Sequence, residues 1–558
     1  MTTSTNKRKS FLYGCLFYGC LPLLVLALVS ALPIYWFCFH TTPLRISEET
    51  TFVLGPMTSD GKRIDYFRAM EERYYPPEMK TDDNGYRLIV RAMGVNIDNE
   101  VLRLQVYEKL GLDPNEEPTM KLESLWTIIS QYDKDHPPAE GEQKLWDKFH
   151  SATHSVFNDF PMLKDWLEEN MAGIDLLAEA VRKPAFYIPY VRENENSPAF
   201  ESLLRSDNVH IIREWARVVR ARATYRLGVG DIDGAIDDIV TAHHLARHAG
   251  KQGTLVSGLI GIAVEGMAYS IGIGSNPEFP PTKEQIERLI AELDSLPPRW
   301  TFNEALESER LFGLAALQDI YWGNNPGMNE PFPYFRLLFP NMGWTFDINI
   351  ALTKQNKVYD AMTGITDDKM LEKFFEPSGN PYNPLPLLFT RSRTHRIMNS
   401  LMELLVPSVQ AGREAWHRIE CTENMQRLTL ALLLYEIDNG KLPEGDWREA
   451  IRPYLGENAD RYFRCPSHRL AEGETNYAMI GNVPNAIASP QQILVVEIMQ
   501  PQRLGEGDGR IEFERAQASR VAIREEDTDV GSNHPGGINV GLRSGAVRFI
   551  TQSINPEV

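Results

Sequence analysis

Two histidines in a segment with helical periodicity could bind a metal ion. His244 and His248 lie one helical turn apart, which places both imidazoles on one helix face, as zinc sites often do. Asp237 precedes His244 by seven residues, shares that face and could supply a third ligand. The alternative is an exposed polar face without metal, because this spacing is common and no His-Glu-x-x-His motif supplies a general base. The pair His150 and His154 carries the same two interpretations.

Acidic residues near the C-terminus suggest a second kind of metal site. Asp527 and Asp529 could donate oxygens to calcium, a hard cation, and an acidic solvated loop is the alternative. The sequence contains no Gly-x-Ser-x-Gly elbow, Walker A loop or dinucleotide-binding glycine fingerprint. The sequence therefore gives no positive evidence for enzymatic activity. Apart from the zinc and calcium candidates, no cofactor is predicted.

The five cysteines fall into two groups. Cys15, Cys20 and Cys38 lie in an apolar N-terminal segment, where they act as small apolar side chains. Cys421 and Cys465 are the two in the rest of the chain. In an oxidising compartment this pair is a disulfide candidate, and the bond would stabilise the fold by about 2–4 kcal/mol. Two buried free thiols are the alternative.

The N-terminal segment predicts a membrane anchor. Residues 11–39 contain no charged side chain, and about 20 apolar residues suffice to cross a bilayer. Basic residues cluster before this segment, so we predict a cytoplasmic tail over 1–10 and an extracytoplasmic remainder. A cleaved signal peptide ending near Ala31 is the alternative, although such apolar cores run only about 7–15 residues. The expected location is a bacterial inner membrane, with the bulk of the chain in the periplasm.

Helical patterns dominate the middle of the chain. After a connector over 40–75, we predict a helical domain over 76–321, followed by a Pro-, Gly- and Asn-rich linker region over 322–395. The linker could instead form a partner-binding surface with aromatic anchors. The predicted helices are Val101–Leu110, Leu163–Arg182, Val209–Leu227, a partner beginning near Gly234, Leu255–Gly274, Lys283–Leu296, Phe302–Tyr321 and Trp344–Met362.

A long amphipathic stem over Leu404–Pro443 opens a set of ordered motifs. Downstream lie a Cys-Pro-Ser segment, an apolar strand that ends in Glu, and a His that nine residues separate from Ser-Gly. This order resembles planctomycete-type pilin-like proteins, which carry a prepilin-processing-associated His-x9-Asp-Gly C-terminal domain. The residues that carry the resemblance, called the motif residues below, are Pro407, Gln410, Arg413, Glu414, Cys421, Asn424, Cys465, Glu497, His534 and Gly545.

The resemblance implies a pilin-like α+β domain over 396–558, in which a long helix packs on a small antiparallel sheet. Ser544 stands where the family has Asp, which puts in doubt any function that needs that carboxylate. The residues before the stem, Thr394–Leu405, lack the family's processing site, so we expect no processing or polymerisation as a pilin.

The predicted fold class is therefore α+β, with a single N-terminal transmembrane helix, a mostly helical extracytoplasmic domain and a pilin-like domain. The resemblance implies a scaffold or docking protein in the cell envelope, associated with a secretion or pilus-type apparatus and bound to protein partners there. An envelope enzyme or ligand-binding receptor with its site in the helical domain is the alternative. The formal charge of −19 disfavours nucleic acid as a partner.

Overall fold

The computed structural model of the chain describes the residues 29, 42–75, 81, 83–138, 144–151, 156–195, 197–199, 202–203, 209–322, 346–364, 389–467, 474–481, 493–503, 510–512 and 537–551. Their helices are α1 (Tyr66–Tyr74), α2 (Gly85–Met93), α3 (Glu100–Leu110), α4 (Leu125–Asp135), α5 (Leu145–Ser151), α6 (Val156–Asp159), α7 (Pro161–Ala180), α8 (Val209–Val229), α9 (Ile232–Gly250), α10 (Leu255–Tyr269), α11 (Lys283–Asp294), α12 (Phe302–Trp322), α13 (Ile348–Gly364), α14 (Thr390–Asn439), α15 (Trp447–Leu455) and α16 (Ala459–Tyr462). Their strands are β1 (Glu474–Gly481), β2 (Ile493–Arg503), β3 (Arg510–Glu512), β4 (Gly537–Leu542) and β5 (Val547–Thr551).

The chain forms two compact units that each draw on several segments. The first unit comprises Met1–Ala69, Asn194–Ser202 and Arg310–Ser408. The second unit comprises Met70–Glu193, Leu203–Glu309 and Val409–Val558. Most of the predicted helical domain and most of the predicted pilin-like domain therefore lie in the same unit.

In the first unit, side chains of α12 and α13 hold the segment before α1. Arg310 is buried, lies 4.4 Å over the ring of Phe52 and pairs with Asp360. Asn356 donates to the carbonyl of Thr50 at 2.8 Å, and Gln318 donates to that of Ile64 at 2.7 Å. These bonds satisfy backbone groups in a segment that has little secondary structure of its own.

In the second unit, local sequence sets several helix ends. Gly111 ends α3 with a φ of 63°, a left-handed conformation that glycine adopts without steric cost. Asp231 begins α9, where its carboxylate accepts a hydrogen bond from the Gly234 amide at 2.9 Å. The turn before it contains Gly230 with a φ of 82°, and α8 and α9 pack together as a helical pair. The end of α3 confirms the predicted Leu110, and α9 begins at Ile232, two residues before the predicted start near Gly234.

The C-terminal part of α14 is the stem, and it packs on a five-stranded sheet. The strand order is β3-β1-β2-β4-β5; β1 and β3 are parallel, and the other neighbours are antiparallel. On this side the apolar core comprises Cys421, Met425, Leu428, Ala431, Leu432, Trp447, Ile451, Tyr462, Phe463, Cys465, Tyr477, Met479, Leu494, Val495 and Val547.

A second core covers another side of the stem. Leu430 and Leu434 of α14 are buried there against α8, α9, α11 and the segment after α10. The residues that form this core with them are Ala223, Leu227, Ile232, Ala235, Ile236, Ile239, Val240, Ile271, Ile273, Ile286 and Leu289. The stem is therefore an internal helix of the second unit, with apolar neighbours on two sides.

The predicted fold class is wrong in its transmembrane helix. Among the residues that the structure describes, no helix is long and apolar enough to cross a membrane. The apolar α10 has 15 residues, whereas a span takes about 20, and α14 carries charged side chains along its 50 residues. The predicted anchor over 11–39 lies outside the described residues, apart from Val29.

Two further differences concern the pilin-like part. The helix that contains the stem, α14, begins at Thr390 rather than near Leu404, and Pro407 lies exposed inside it. The sheet is not purely antiparallel, because β3 pairs with β1 in parallel. Short helices such as α1 and α2 were missed, although α2 has a local start signal: the side chain of Asn84 accepts the amide of Tyr86 at 3.1 Å.

Candidate functional site

Three motif residues from separate segments converge where the stem meets the sheet. Cys421 lies on α14, Cys465 follows α16, and Glu497 lies on β2. One ligand atom from each lies within 4.8 Å of the other two, and all three side chains are at most 1% exposed. We call this cluster of Cys421, Cys465 and Glu497 the Cys-Cys-Glu site.

The two cysteines of this site are bonded. Cys421 and Cys465 form a disulfide whose Cα atoms lie 5.1 Å apart, within the usual range of about 4.4–6.8 Å. The amide of Cys465 donates to Asn476 Oδ1 at 2.9 Å, and Asn424 Nδ2 donates to the carbonyl of Arg464 at 2.8 Å. The motif residue Asn424 thus holds the Cys465 segment against the stem.

Glu497 supplies a buried carboxylate beside the disulfide. Its Oε2 accepts the amide of Asn539 at 2.9 Å, and its Oε1 accepts Asn539 Nδ2 at 3.3 Å. Tyr477 pairs with Glu497 across β1 and β2. Burial, and then the charge of Glu497, raises the pKa of Tyr477 well above its usual value. The site therefore combines two sulfurs and an oriented carboxylate, which are ligands for a metal ion once the sulfurs are free.

A second polar cluster lies among the helices, around Glu265 of α10. Arg247 pairs with one carboxylate oxygen, and Arg299 Nε donates to the other at 2.6 Å. Burial alone would raise the pKa of Glu265, but the charges of Arg299 and Arg247 outweigh it and lower the pKa. Arg299 also pairs with Glu423 of the stem at 2.9 Å. Glu265 is therefore an ionised structural group, poorly suited to act as a general base at neutral pH.

His243 completes the Glu265 cluster. Its Nδ1 lies 3.7 Å from Glu265 Oε1, and its ring meets Tyr269 edge-on at 4.8 Å. Burial lowers the pKa of His243, although Glu265 opposes that shift. Sequence reasoning missed His243, Arg247 and Arg299; the signal that could have found them is Glu265, a carboxylate in an otherwise apolar helix that needs cationic partners.

A cavity beside this cluster is too small for a substrate. Its volume is about 10 Å³, which is about the space that one water molecule needs. The residues that line it are Ala246, Arg247, Gly250, Gly258, Gly261, Ile262, Glu265, Arg299, Trp300 and Trp416. The charged groups around it pair with one another, so the arrangement favours a structural role.

The predicted zinc ligands His244, His248 and Asp237 all lie on α9, but two of them bond to other residues instead of facing a common metal position. The rings of His244 and His248 lie 6.4 Å apart, centre to centre. His248 Nε2 donates to the carbonyl of Val181 at 2.8 Å, and the carboxylate of Asp237 pairs with Arg288. Burial lowers the pKa of both histidines to about 4. The ring nitrogen of His248 and the carboxylate of Asp237 are thus engaged in the fold.

The other motif residues are dispersed along the stem and the sheet. Arg413 lies 5.4 Å over the ring of Phe302, Gln410 and Glu414 are half-buried, and Gly545 turns the chain between β4 and β5 with a φ of 83°. His534, Asp527 and Asp529 lie outside the described residues, as do His154 and the three N-terminal cysteines.

Comparison with known proteins supports part of the resemblance. A family model described as "Protein of unknown function (DUF1559)" matches residues 498–557, and this family is found in planctomycete-type pilin-like proteins. No curated protein and no solved structure matches the chain. The match covers β3, β4, β5 and part of β2, and excludes both cysteines of the Cys-Cys-Glu site.

Proposed function

We propose that this chain is an extracytoplasmic scaffold or docking protein whose pilin-like domain is built into a larger helical body. The observation that carries the proposal is the burial of the stem on two sides. Its Met425, Leu428 and Leu432 pack toward the sheet, whereas Leu430 and Leu434 pack against the helices. Apolar side chains already buried in their own chain are not available to pack on other copies, which argues against a fibre subunit.

The disulfide supports the extracytoplasmic part of the proposal. Bonds such as Cys421–Cys465 form and persist in oxidising compartments and are rare in a reducing cytosol. Partners in a secretion or pilus-type envelope apparatus are proposed on the resemblance to pilin-like proteins, which is a fold-level argument. A receptor or enzyme with its site among the helices is the alternative, and the cavity at Glu265 does not support it, because that cavity holds about one water.

The proposal is tested by photocrosslinking in the native host. A photoreactive amino acid replaces Leu104 or Trp126, which are 40% and 51% exposed, in a tagged full-length chain. A matched chain carries it at the buried Leu428, where it should capture nothing. We expect the exposed positions to capture pseudopilins or secretion-platform subunits, identified by mass spectrometry. If neither position captures such subunits, the link to an envelope apparatus is refuted.

A further inference from the structure

We propose that the Cys-Cys-Glu site binds a thiophilic divalent cation, with zinc as the favoured metal, when the Cys421–Cys465 bond is reduced. The site offers two thiolates and one carboxylate, which is a donor set that zinc uses readily. A water molecule would complete a tetrahedral shell. This inference is independent of the proposed scaffold function.

The positions of the donors fit such a shell. In a tetrahedral zinc site with Zn–S distances of about 2.3 Å, two sulfurs lie about 3.8 Å apart. The ligand atoms of Cys421, Cys465 and Glu497 already lie within 4.8 Å of one another. Once the bond is broken, the sulfurs need to separate by about 1.7 Å, which side-chain rotation can supply.

Neighbouring groups already orient the donors. Asn539 donates two hydrogen bonds to Glu497, one to each oxygen, which fixes the orientation of the carboxylate. Metal-binding carboxylates are usually held by such outer hydrogen bonds. Asn476 fixes the backbone of Cys465, because its side-chain oxygen accepts the Cys465 amide.

The chemistry balances with a thiol reductant. Two equivalents of a small thiol, or one dithiol, give up two electrons and two protons to the disulfide, and the reductant leaves as its own disulfide. Zinc then displaces the two thiol protons and binds two thiolates. The flanking residues Arg464 and Pro466 are exposed but both cysteines are buried, so reduction requires local opening of the Cys465 segment.

The experiment uses the full-length chain with Cys15, Cys20 and Cys38 replaced by serine, so that only the site's sulfurs remain. The protein is reduced with a phosphine and titrated with cobalt(II), a spectroscopic substitute for zinc, and then with zinc as a competitor. We expect one equivalent of cobalt to give a thiolate-to-metal charge-transfer band that zinc abolishes. The oxidised protein should give no such band.

Two variants separate the site from general metal binding. Glu497→Gln removes the anionic ligand and should weaken cobalt binding at least about 10-fold. The matched control, Glu457→Gln, changes an exposed carboxylate in the same unit and should bind as the parent does. A reduced, folded protein without the charge-transfer band, or equal affinity in Glu497→Gln, would overturn the proposal.

If reduction unfolds the chain, the proposal is tested by whether zinc restores the fold. Near-ultraviolet circular dichroism then follows the reduced protein as zinc is added. Because zinc binding to a folded site stabilises the fold, zinc should restore the native spectrum in the parent and in Glu457→Gln, but not in Glu497→Gln. Failure of zinc to restore the parent spectrum refutes the site.

Discussion

The carbonyl of Ser544 accepts a hydrogen bond from the amide of Gly274 at 2.9 Å. Ser544 is 2% exposed and lies in the turn between β4 and β5, whereas Gly274 lies in the segment after α10. Ser544 is also the position at which the resemblance to pilin-like proteins implies an Asp. In this chain the position is a packing contact between the sheet and the helices of the second unit.

Gly272 makes this close approach sterically possible. A Cβ at this position would lie 2.4 Å from Ser544 Oγ and 2.7 Å from the Ser544 carbonyl oxygen. We expect Gly272→Ala to lower the free energy of unfolding by about 1–3 kcal/mol through overpacking. Urea denaturation followed by circular dichroism measures it. Gly266→Ala is the control, because a Cβ there has no neighbour within 4 Å and should be neutral or stabilising.

A carboxylate at position 544 should be unfavourable in this chain. Ser544→Asp places a carboxylate in a buried turn already in contact with Gly272 and Gly274. We expect the free energy of unfolding at pH 7 to fall by about 2 kcal/mol or more, because a buried charge without a cation is costly. Ser544→Ala, measured in the same urea titration, should cost less. Equal stability of Ser544→Asp and the parent would contradict this role.

Glu265 should be among the most sensitive charged positions. Glu265→Gln leaves the guanidinium groups of Arg247 and Arg299 without their shared carboxylate, and we expect a loss of about 3–5 kcal/mol. Glu287→Gln, at an exposed position on α11, should change stability by less than about 0.5 kcal/mol. Because the pKa of Glu265 is lowered in the fold, its stabilising effect is present above its unfolded pKa of about 4.3 and is lost as pH falls below it.

The buried histidines should make stability depend on pH between about 6.5 and 4. The pKa of His244 and of His248 is lowered to about 4, whereas the unfolded value is about 6.5. Between these values the unfolded chain binds more protons than the folded chain. The free energy of unfolding therefore decreases as the pH is lowered, by up to about 1.4 kcal/mol per pH unit for each histidine. Urea titrations at several pH values should give a smaller slope for His248→Gln than for the parent. An exposed control, His136→Gln, should keep the parent slope.

Loss of the disulfide should destabilise the second unit. The bond joins residues separated by 44 positions, and removing a native disulfide typically costs about 2–5 kcal/mol. We expect this loss in the double variant Cys421→Ser/Cys465→Ser, measured by urea denaturation without metal. A reductant should lower the stability of the parent to a similar degree and leave the double variant unchanged. The prediction would be contradicted if the free energy of unfolding of the parent stayed the same after its disulfide had been fully reduced.

The sequence by itself determined the local elements and their ends. Gly111 ends α3 and Asp231 begins α9 for reasons contained within a few residues: a left-handed backbone and a side-chain cap. The periodic segments became α7 to α12, and the apolar strand that ends in Glu497 became the first part of β2. The resemblance to pilin-like proteins, and not periodicity, singled out Cys421, Cys465 and Glu497 as motif residues, without their positions in space.

Only the tertiary structure decided which surfaces meet. An amphipathic pattern shows that Leu430 and Leu434 are to be buried, but hydrophobic burial is non-directional and does not specify α9 rather than another helix as the neighbour. The partners of Glu265 and the convergence of Glu497 with the cysteines likewise depend on contacts between segments far apart in the chain. The packing role of Ser544 also depends on tertiary contacts. Its partners Gly272 and Gly274 lie far away in the chain, and no local sequence pattern connects them to Ser544.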